Sequence, residues 1–334
     1  MNIAVIDNWI SPIGVLKRTG KTISVMRVCE EGCAVQMTAG STNSHGTICS
    51  SILAESMPEP ASLVGYSCSK DDEKAQIQKV CRALEDCLNN PPACISMSIG
   101  SENWLETKEL GVTTKKLADA GTQIYAACAN KGCIAFPAAY PWVTGVRYVP
   151  GTVGLYREEN SLVGNDVIVG EFTTPILRKL ASENSFFECR TNSMATPYAL
   201  GTMISKGMKV SDLPQWEGSS SPGPIEELPM PTVALRGPLE QMMELLSLLK
   251  QERYQAALLT DRVQTDWTNM ILHASAEDFL RWVKPLKEAG ILLLDIEGGL
   301  ASIQKYGDYL LNLEEVSVEI GYSNILQFFG TESE

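Results

Sequence analysis

Short apolar runs alternate with stretches of helical periodicity through the first 150 residues, and that alternation constrains the fold more than any other feature. Residues 3–6, 22–28, 61–66, 93–100, 122–129 and 143–149 are the apolar runs. Helical segments are expected from His45, over 71–88 and over 105–120, with Ile77, Val80 and Leu84 along one face of the second. A strand buried on both faces shows little polar alternation, and strands separated by helices form a parallel sheet covered on both sides. The expected fold class is therefore α/β, a three-layer domain whose parallel sheet is flanked by helices. Residues 153–172 read as short strands or loops, and a further helix starts near Ser193.

Residues 211–231 hold Pro214, Gly218, Ser219 to Ser221, Pro222, Gly223, Pro224, Pro229 and Pro231, the composition of a linker. The expected organisation is a first domain over 1–210, this linker, and a smaller α/β domain over 232–334. In that smaller domain strands are expected at 232–235, 256–259, 270–272, 291–295 and 316–320. Helices are expected at 239–251, 276–289 and 300–311. From Ile225 onward 8 Lys and Arg face 18 Asp and Glu, so most of the net charge of −13 lies in the second domain. Such a balance argues against nucleic acid or an anionic membrane as partner. A basic peptide, self-association or solubility alone would each fit it.

The start, Met1-Asn2-Ile3-Ala4-Val5-Ile6-Asp7, reads as a strand and lacks the basic and long apolar regions of an export signal. No run has the apolar length of a membrane span. A cytoplasmic location is expected. All ten cysteines lie between Cys29 and Cys189. With no export signal and only two histidines, reduced thiols packed as small hydrophobes are expected, rather than a disulfide framework or a zinc site. No metal and no cofactor is expected, and the second domain holds no phosphate-binding glycine loop.

Three residues stand where chemistry could be placed. Asp7 ends the first strand, and open α/β sheets put their sites at strand carboxyl ends, although an aspartate there also serves as a turn former. His45 opens a helix rich in small residues, though a single histidine is often structural. Ser193 sits in Thr191-Asn192-Ser193-Met194-Ala195-Thr196-Pro197, a polar turn leading into a helix whose free N–H groups and dipole favour developing negative charge. A serine there is equally the residue expected of a plain helix cap. Together the three make a nucleophile, a base and a group that orients the base. Asn130, before Lys131-Gly132, is both a turn residue and a competent oxyanion donor.

These segments resemble the subtilisin-like serine proteases, whose triad follows the order Asp, His, Ser. Val5-Ile6-Asp7, Ser44-His45-Gly46-Thr47 and Asn192 to Pro197 are similar to the three triad motifs. Ala126 to Gly132 resembles the segment that carries the oxyanion asparagine, and Phe136-Pro137-Ala138-Ala139-Tyr140-Pro141 the proline-containing stretch after it. Ser98-Ile99-Gly100 resembles the strand end that pairs with substrate backbone. The resemblance spans residues 1 to about 210. It implies a subtilisin-like fold, Ser193 as nucleophile, His45 as base, Asp7 as its orienter, and Asn130 with the Ser193 N–H as oxyanion donors. It implies substrate contacts at Ser98, Ile99, Gly100 and Lys131, with Lys131 at the rim of the primary specificity pocket, favouring an acidic or polar residue before the cut. One departure is clear: Thr191-Asn192 stands where the family has Gly-Thr, so a different local turn is expected. The chain also begins at its first core strand, as expected of an intracellular member without a propeptide.

The implied function is that of a cytosolic serine endopeptidase acting on peptides or proteins, of the kind that removes a leader from a ribosomally made peptide. The alternative is a catalytically weak or inactive peptide-binding scaffold on the same fold. His273 in the second domain reads as a packed or surface residue, and that domain as a possible site of partner binding or self-association.

Overall fold

The computed structural model describes residues 1–35, 41–58, 62–69, 75–159, 161, 164, 166–183, 191–218 and 228–330. By contacts the chain divides into two compact units: Met1–Glu102 with Glu106–Gly218, and Asn103–Leu105 with Ser219–Glu334.

In the first unit the elements run β1 (Asn2–Asp7), α1 (Pro12–Thr19), β2 (Ser24–Cys29), β3 (Gly32–Val35), α2 (His45–Ser56), β4 (Ser62–Ser67), α3 (Ile77–Asn89), β5 (Cys94–Met97), α4 (Lys108–Asp119), β6 (Gln123–Ala127), β7 (Thr144–Val153), β8 (Leu155–Arg157), β9 (Val167–Glu171), α5 (Pro175–Glu183) and α6 (Asn192–Lys206). Among the described residues they form a nine-stranded sheet in the order β3-β2-β4-β1-β5-β6-β7-β9-β8. Its interior pairs are parallel, and β3 and β8 are antiparallel at the two edges. The expected parallel sheet flanked by helices is the architecture observed. Residue 61 of one expected strand and residues 71–74 of one expected helix lie outside the described residues.

Strand period places Ile3, Val5 and Asp7 on one face of β1. Ile3 and Val5 belong to a core shared with Ile48, Ile52 and Leu53 of α2 and with Ala195, Ala199 and Leu200 of α6. Asp7 therefore emerges on the side where α2 and α6 pack. These two helices lie close because Gly201 faces Ser56, whose Cβ is 2.7 Å from where a Gly201 Cβ would be. The chain leaves β1 toward β2 on one side and leaves β5 toward β6 on the other, so the ends of β1 and β5 flank a topological switch point.

The second unit comprises β10 (Thr232–Arg236), α7 (Leu239–Gln251), β11 (Ala256–Thr260), β12 (Ile271–His273), α8 (Phe279–Val283), β13 (Ile291–Asp295), β14 (Tyr309–Asn312) and α9 (Val318–Gly330). Its five strands, again among the described residues, are parallel in the order β12-β11-β13-β10-β14. Three expectations are corrected here. The last strand is Tyr309–Asn312, and the stretch expected as strand 316–320 instead opens α9. The helix expected over 300–311 is a 3₁₀ run, Gly298–Tyr306. The helix expected over 276–289 shortens to Phe279–Val283, because Pro285 lacks the N–H that a continuing helix needs. Residues 219–227 of the linker and 331–334 at the end lie outside the described residues.

At the carboxyl ends of this second sheet, Arg262 ties three strands together. Its Nε donates to Asp295 Oδ2 at 2.5 Å, and both terminal nitrogens donate to Gly237 O at 3.2 and 3.3 Å. Thr260 Oγ1 donates to the same Asp295 oxygen at 2.7 Å, while Asp295 Oδ1 accepts the Glu297 N–H. Asp295 and Thr260 are fully buried. The switch-point crevice between β11 and β13 is thus spanned by an internal salt bridge.

Candidate active site

Asp7, His45 and Ser193 come together at the carboxyl end of β1. His45 Nδ1 lies 2.8 Å from Asp7 Oδ1, and His45 Nε2 lies 3.0 Å from Ser193 Oγ. Asp7 is fully buried and its Oδ1 also accepts the Asn8 N–H at 2.7 Å. His45 is the first residue of α2, where Ser44 Oγ donates to Trp9 O at 2.8 Å and so pins the helix start to the loop after β1.

Gly46 permits that approach. A Cβ there would lie 2.6 Å from Trp9 O and 2.8 Å from Asp7 Cβ, both closer than real contacts allow. The Gly46→Ala protein is therefore expected to push α2 off β1 and lengthen the Asp7–His45 contact. Any activity that depends on this pair should fall at least about tenfold, a loss of the order of one charge-assisted hydrogen bond. An unchanged rate in the folded variant would show that the close approach is dispensable.

Ser193 is the second residue of α6, so its backbone N–H belongs to the unpaired first turn. Pro197 lies inside the helix four residues on and cannot donate to the Ser193 carbonyl. Two side chains use that vacant acceptor: Ser98 Oγ donates to Ser193 O at 2.8 Å, and Cys49 Sγ at 3.5 Å. The end of β5 is thereby fixed to the serine turn.

The residue before the serine is a buried clasp. Asn192 Oδ1 accepts the Tyr148 N–H at 2.8 Å, and its Nδ2 donates to Cys128 O at 2.9 Å. Its backbone N–H donates to Asn130 Oδ1 at 3.2 Å. That bond brings Asn130 beside the serine turn and holds its amide by the oxygen, leaving the NH₂ group as donor. Asn130 itself is exposed in the turn after β6.

Ile99 and Gly100 follow Ser98 past the end of β5, half-buried and exposed respectively, and a Cβ on Gly100 would lie 2.9 Å from Phe136 O. Lys131 is exposed next to Asn130. The turn expected to differ at Thr191 does not need glycine. Thr191 caps α6 with φ −122° and ψ 163°, an extended conformation open to any residue, and its Oγ1 accepts the Met194 N–H at 3.4 Å.

The buried Asp7 carboxylate stabilises the imidazolium and raises the His45 pKa above its ordinary value of 6.5. Burial raises the pKa of the Cys49 thiol, which leaves it neutral beside the histidine. Ligand atoms of Asp7, His45 and Cys49 lie within 4.8 Å of one another, as a metal site would need. The Asp7–His45 hydrogen bond accounts for the same grouping, with the Nδ1 side of the ring already engaged. The nine described cysteines are free thiols, and Cys189 lies outside the described residues. His273 is exposed, with Nδ1 3.0 Å from Val263 O.

Reasoning from sequence did not reach the Asn192 clasp, the Cys49 contact or the pairing of Thr191 with Ser193. Two signals were present: Cys49 follows His45 by one helical turn, and Pro197 follows Ser193 by one.

Solved structures similar to this chain include subtilisin-like serine proteases, the family its motifs resemble. A cold-adapted subtilisin-like serine proteinase is 14% identical, over 62% of this chain and 74% of that one, at a TM-score of 0.42. The epidermin leader peptide processing serine protease from Staphylococcus aureus is 15% identical, over 62% and 66%, at 0.44. The prenylagaramide maturation protease is 15% identical, over 85% and 94%, at 0.38. No protein-family model matches the chain, and neither does any curated protein. No helix among the described residues is long and apolar enough to cross a membrane.

Proposed function

We propose that this protein is a serine endopeptidase whose triad is Asp7, His45 and Ser193. The observation that carries the reading is the continuous chain of contacts from buried Asp7 through His45 to Ser193 Oγ, at 2.8 and 3.0 Å. In this mechanism Ser193 Oγ attacks the scissile carbonyl while His45 Nε2 takes its proton. Asp7 holds the imidazole in the tautomer that leaves Nε2 free and stabilises the cation that forms. The Asn130 NH₂ and the Ser193 N–H receive the oxyanion. His45 then gives its proton to the leaving amine, and water repeats the cycle on the acyl-enzyme.

Substrate backbone would align along Ser98 to Gly100, with Lys131 beside the residue before the cut. The finer task proposed, by analogy, is cleavage of a leader from a ribosomally made peptide in the cytosol.

A fluorophosphonate probe tests the reading directly. Labelled protein is digested and the modified peptide identified by mass spectrometry. Label on Ser193 is the expected result, and folded protein that takes no label, or takes it elsewhere, overturns the assignment.

A further inference from the structure

Among the described residues, Ser193 Oγ touches two groups. One is His45 Nε2. The other is the Thr191 hydroxyl, whose Oγ1 lies 2.9 Å from Ser193 Oγ. A serine hydroxyl carries one proton, so at most one of these contacts is donated by Ser193. Asp7 Oδ1 can only accept, so His45 Nδ1 carries a proton toward it, and in the neutral ring Nε2 is an acceptor. The Ser193 proton then points to His45, and the donor of the second contact is Thr191. Met194 N–H approaches Thr191 Oγ1 as a donor, which occupies a lone pair and leaves the Thr191 proton free to face Ser193.

Resting on the reading above, we propose that Thr191 is a positioning residue for the nucleophile: its hydroxyl donates to Ser193 Oγ and holds the serine proton in line with His45. The bond does two things during acylation. It fixes the Ser193 rotamer before attack, and it stabilises the negative charge that builds on Oγ as the proton leaves. The Ser193 O–H bond breaks as the His45 N–H bond forms, Oγ bonds to the scissile carbon, the carbonyl π pair moves to the oxyanion, and Thr191 keeps its own proton throughout. The cap explains why Thr191 can be held so closely. Its extended backbone is shared by any helix-capping residue, but only serine and threonine place a hydroxyl there that can accept from the helix and donate to the nucleophile at once.

The test compares fluorophosphonate labelling rates and peptide-hydrolysis kinetics for wild type, Thr191→Val and Thr191→Ser, with thermal unfolding of each. Valine keeps the shape and removes the hydroxyl. Labelling and kcat are expected to fall by about tenfold in Thr191→Val, the effect of one hydrogen bond, with KM nearly unchanged. Thr191→Ser should restore both to within about threefold. A helix-cap role alone would lower the melting temperature of Thr191→Val and leave its labelling rate at the wild-type value, which would overturn the inference. Equal slowing in both variants would also overturn it, because the methyl group rather than the hydroxyl would then be responsible. If Thr191→Val does not fold, Thr191→Ala takes its place under the same criteria. A wild-type protein that takes no label at Ser193 sinks the protease reading itself, a result distinct from any of these.

Discussion

The Asp7→Asn protein is expected to hydrolyse peptides at least about a hundredfold more slowly than wild type, and by as much as about ten-thousandfold. The range reflects two ways in which the amide can sit. With its nitrogen toward His45, the amide donates to Nδ1 and forces the proton onto Nε2, so the ring can no longer accept from Ser193. With its oxygen toward His45, the tautomer survives but the negative charge that stabilises the imidazolium is gone. The Asn8 N–H, 2.7 Å from Asp7 Oδ1, favours the second orientation.

A pH profile reports the loss of the charge, which both orientations share. In wild type the neutral imidazole is the base and Asp7 raises its pKa, so kcat/KM should rise with pH through a midpoint above 6.5. Removing the charge lowers the pKa, and the midpoint of the residual Asp7→Asn activity should fall. An Asp7→Asn protein with wild-type rate and midpoint would exclude Asp7 from any part in the reaction.

The candidate site is more legible in the sequence than the elements around it. Asp7, His45 and Ser193 were each ambiguous alone, but each lies at a place where a strand ends or a helix begins, and such places recur in one order. What could not be read was how the ends are fixed to each other. The Asn192 clasp joins residues 44 to 64 positions apart in the chain, reaching Tyr148 and Cys128, and nothing in its local pattern marks it. The sequence marks Ser98 only as an expected substrate contact; the structure also gives its hydroxyl an internal acceptor, made vacant by a proline about a hundred residues later.

The errors in the second unit have similar causes. Val316, Val318 and Ile320 alternate with polar residues as a half-buried strand would. However, Ser317 accepts the Ile320 N–H through its Oγ and the Gly321 N–H through its carbonyl, and so starts a helix. The helix expected through Gly307 stops there: Gly307 is extended, at φ −82° and ψ 126°, and packs so close against β10 that a Cβ would lie 2.8 Å from Ala234 Cβ. In the first unit, Thr174-Pro175 is a start signal for α5, with Thr174 Oγ1 accepting the Leu177 N–H at 3.2 Å.

The second large effect is expected from Arg262. Its side chain is 29% exposed and that of its partner Asp295 is fully buried. Removing the arginine leaves a buried carboxylate with one hydroxyl and one backbone N–H for company, and strips Gly237 O of its two donors. Breaking such a pair from one side costs about 3–5 kcal/mol, because the remaining charge stays desolvated. Arg262→Ala should therefore destabilise the second unit by an amount comparable to much of a small domain's stability. Hydrogen exchange read by mass spectrometry on peptides from residues 232–330 would show it as faster opening of β10, β11 and β13. Label on Ser193 serves as the control that the first unit is intact. The pair itself need not be net stabilising, since replacing both partners by apolar groups of similar volume avoids the stranded charge. Protection should accordingly return toward wild type in Arg262→Met combined with Asp295→Leu. Full protection in Arg262→Ala alone would mean that water reaches Asp295 once the arginine is gone, and that the three strand ends are held by their backbone ladders instead.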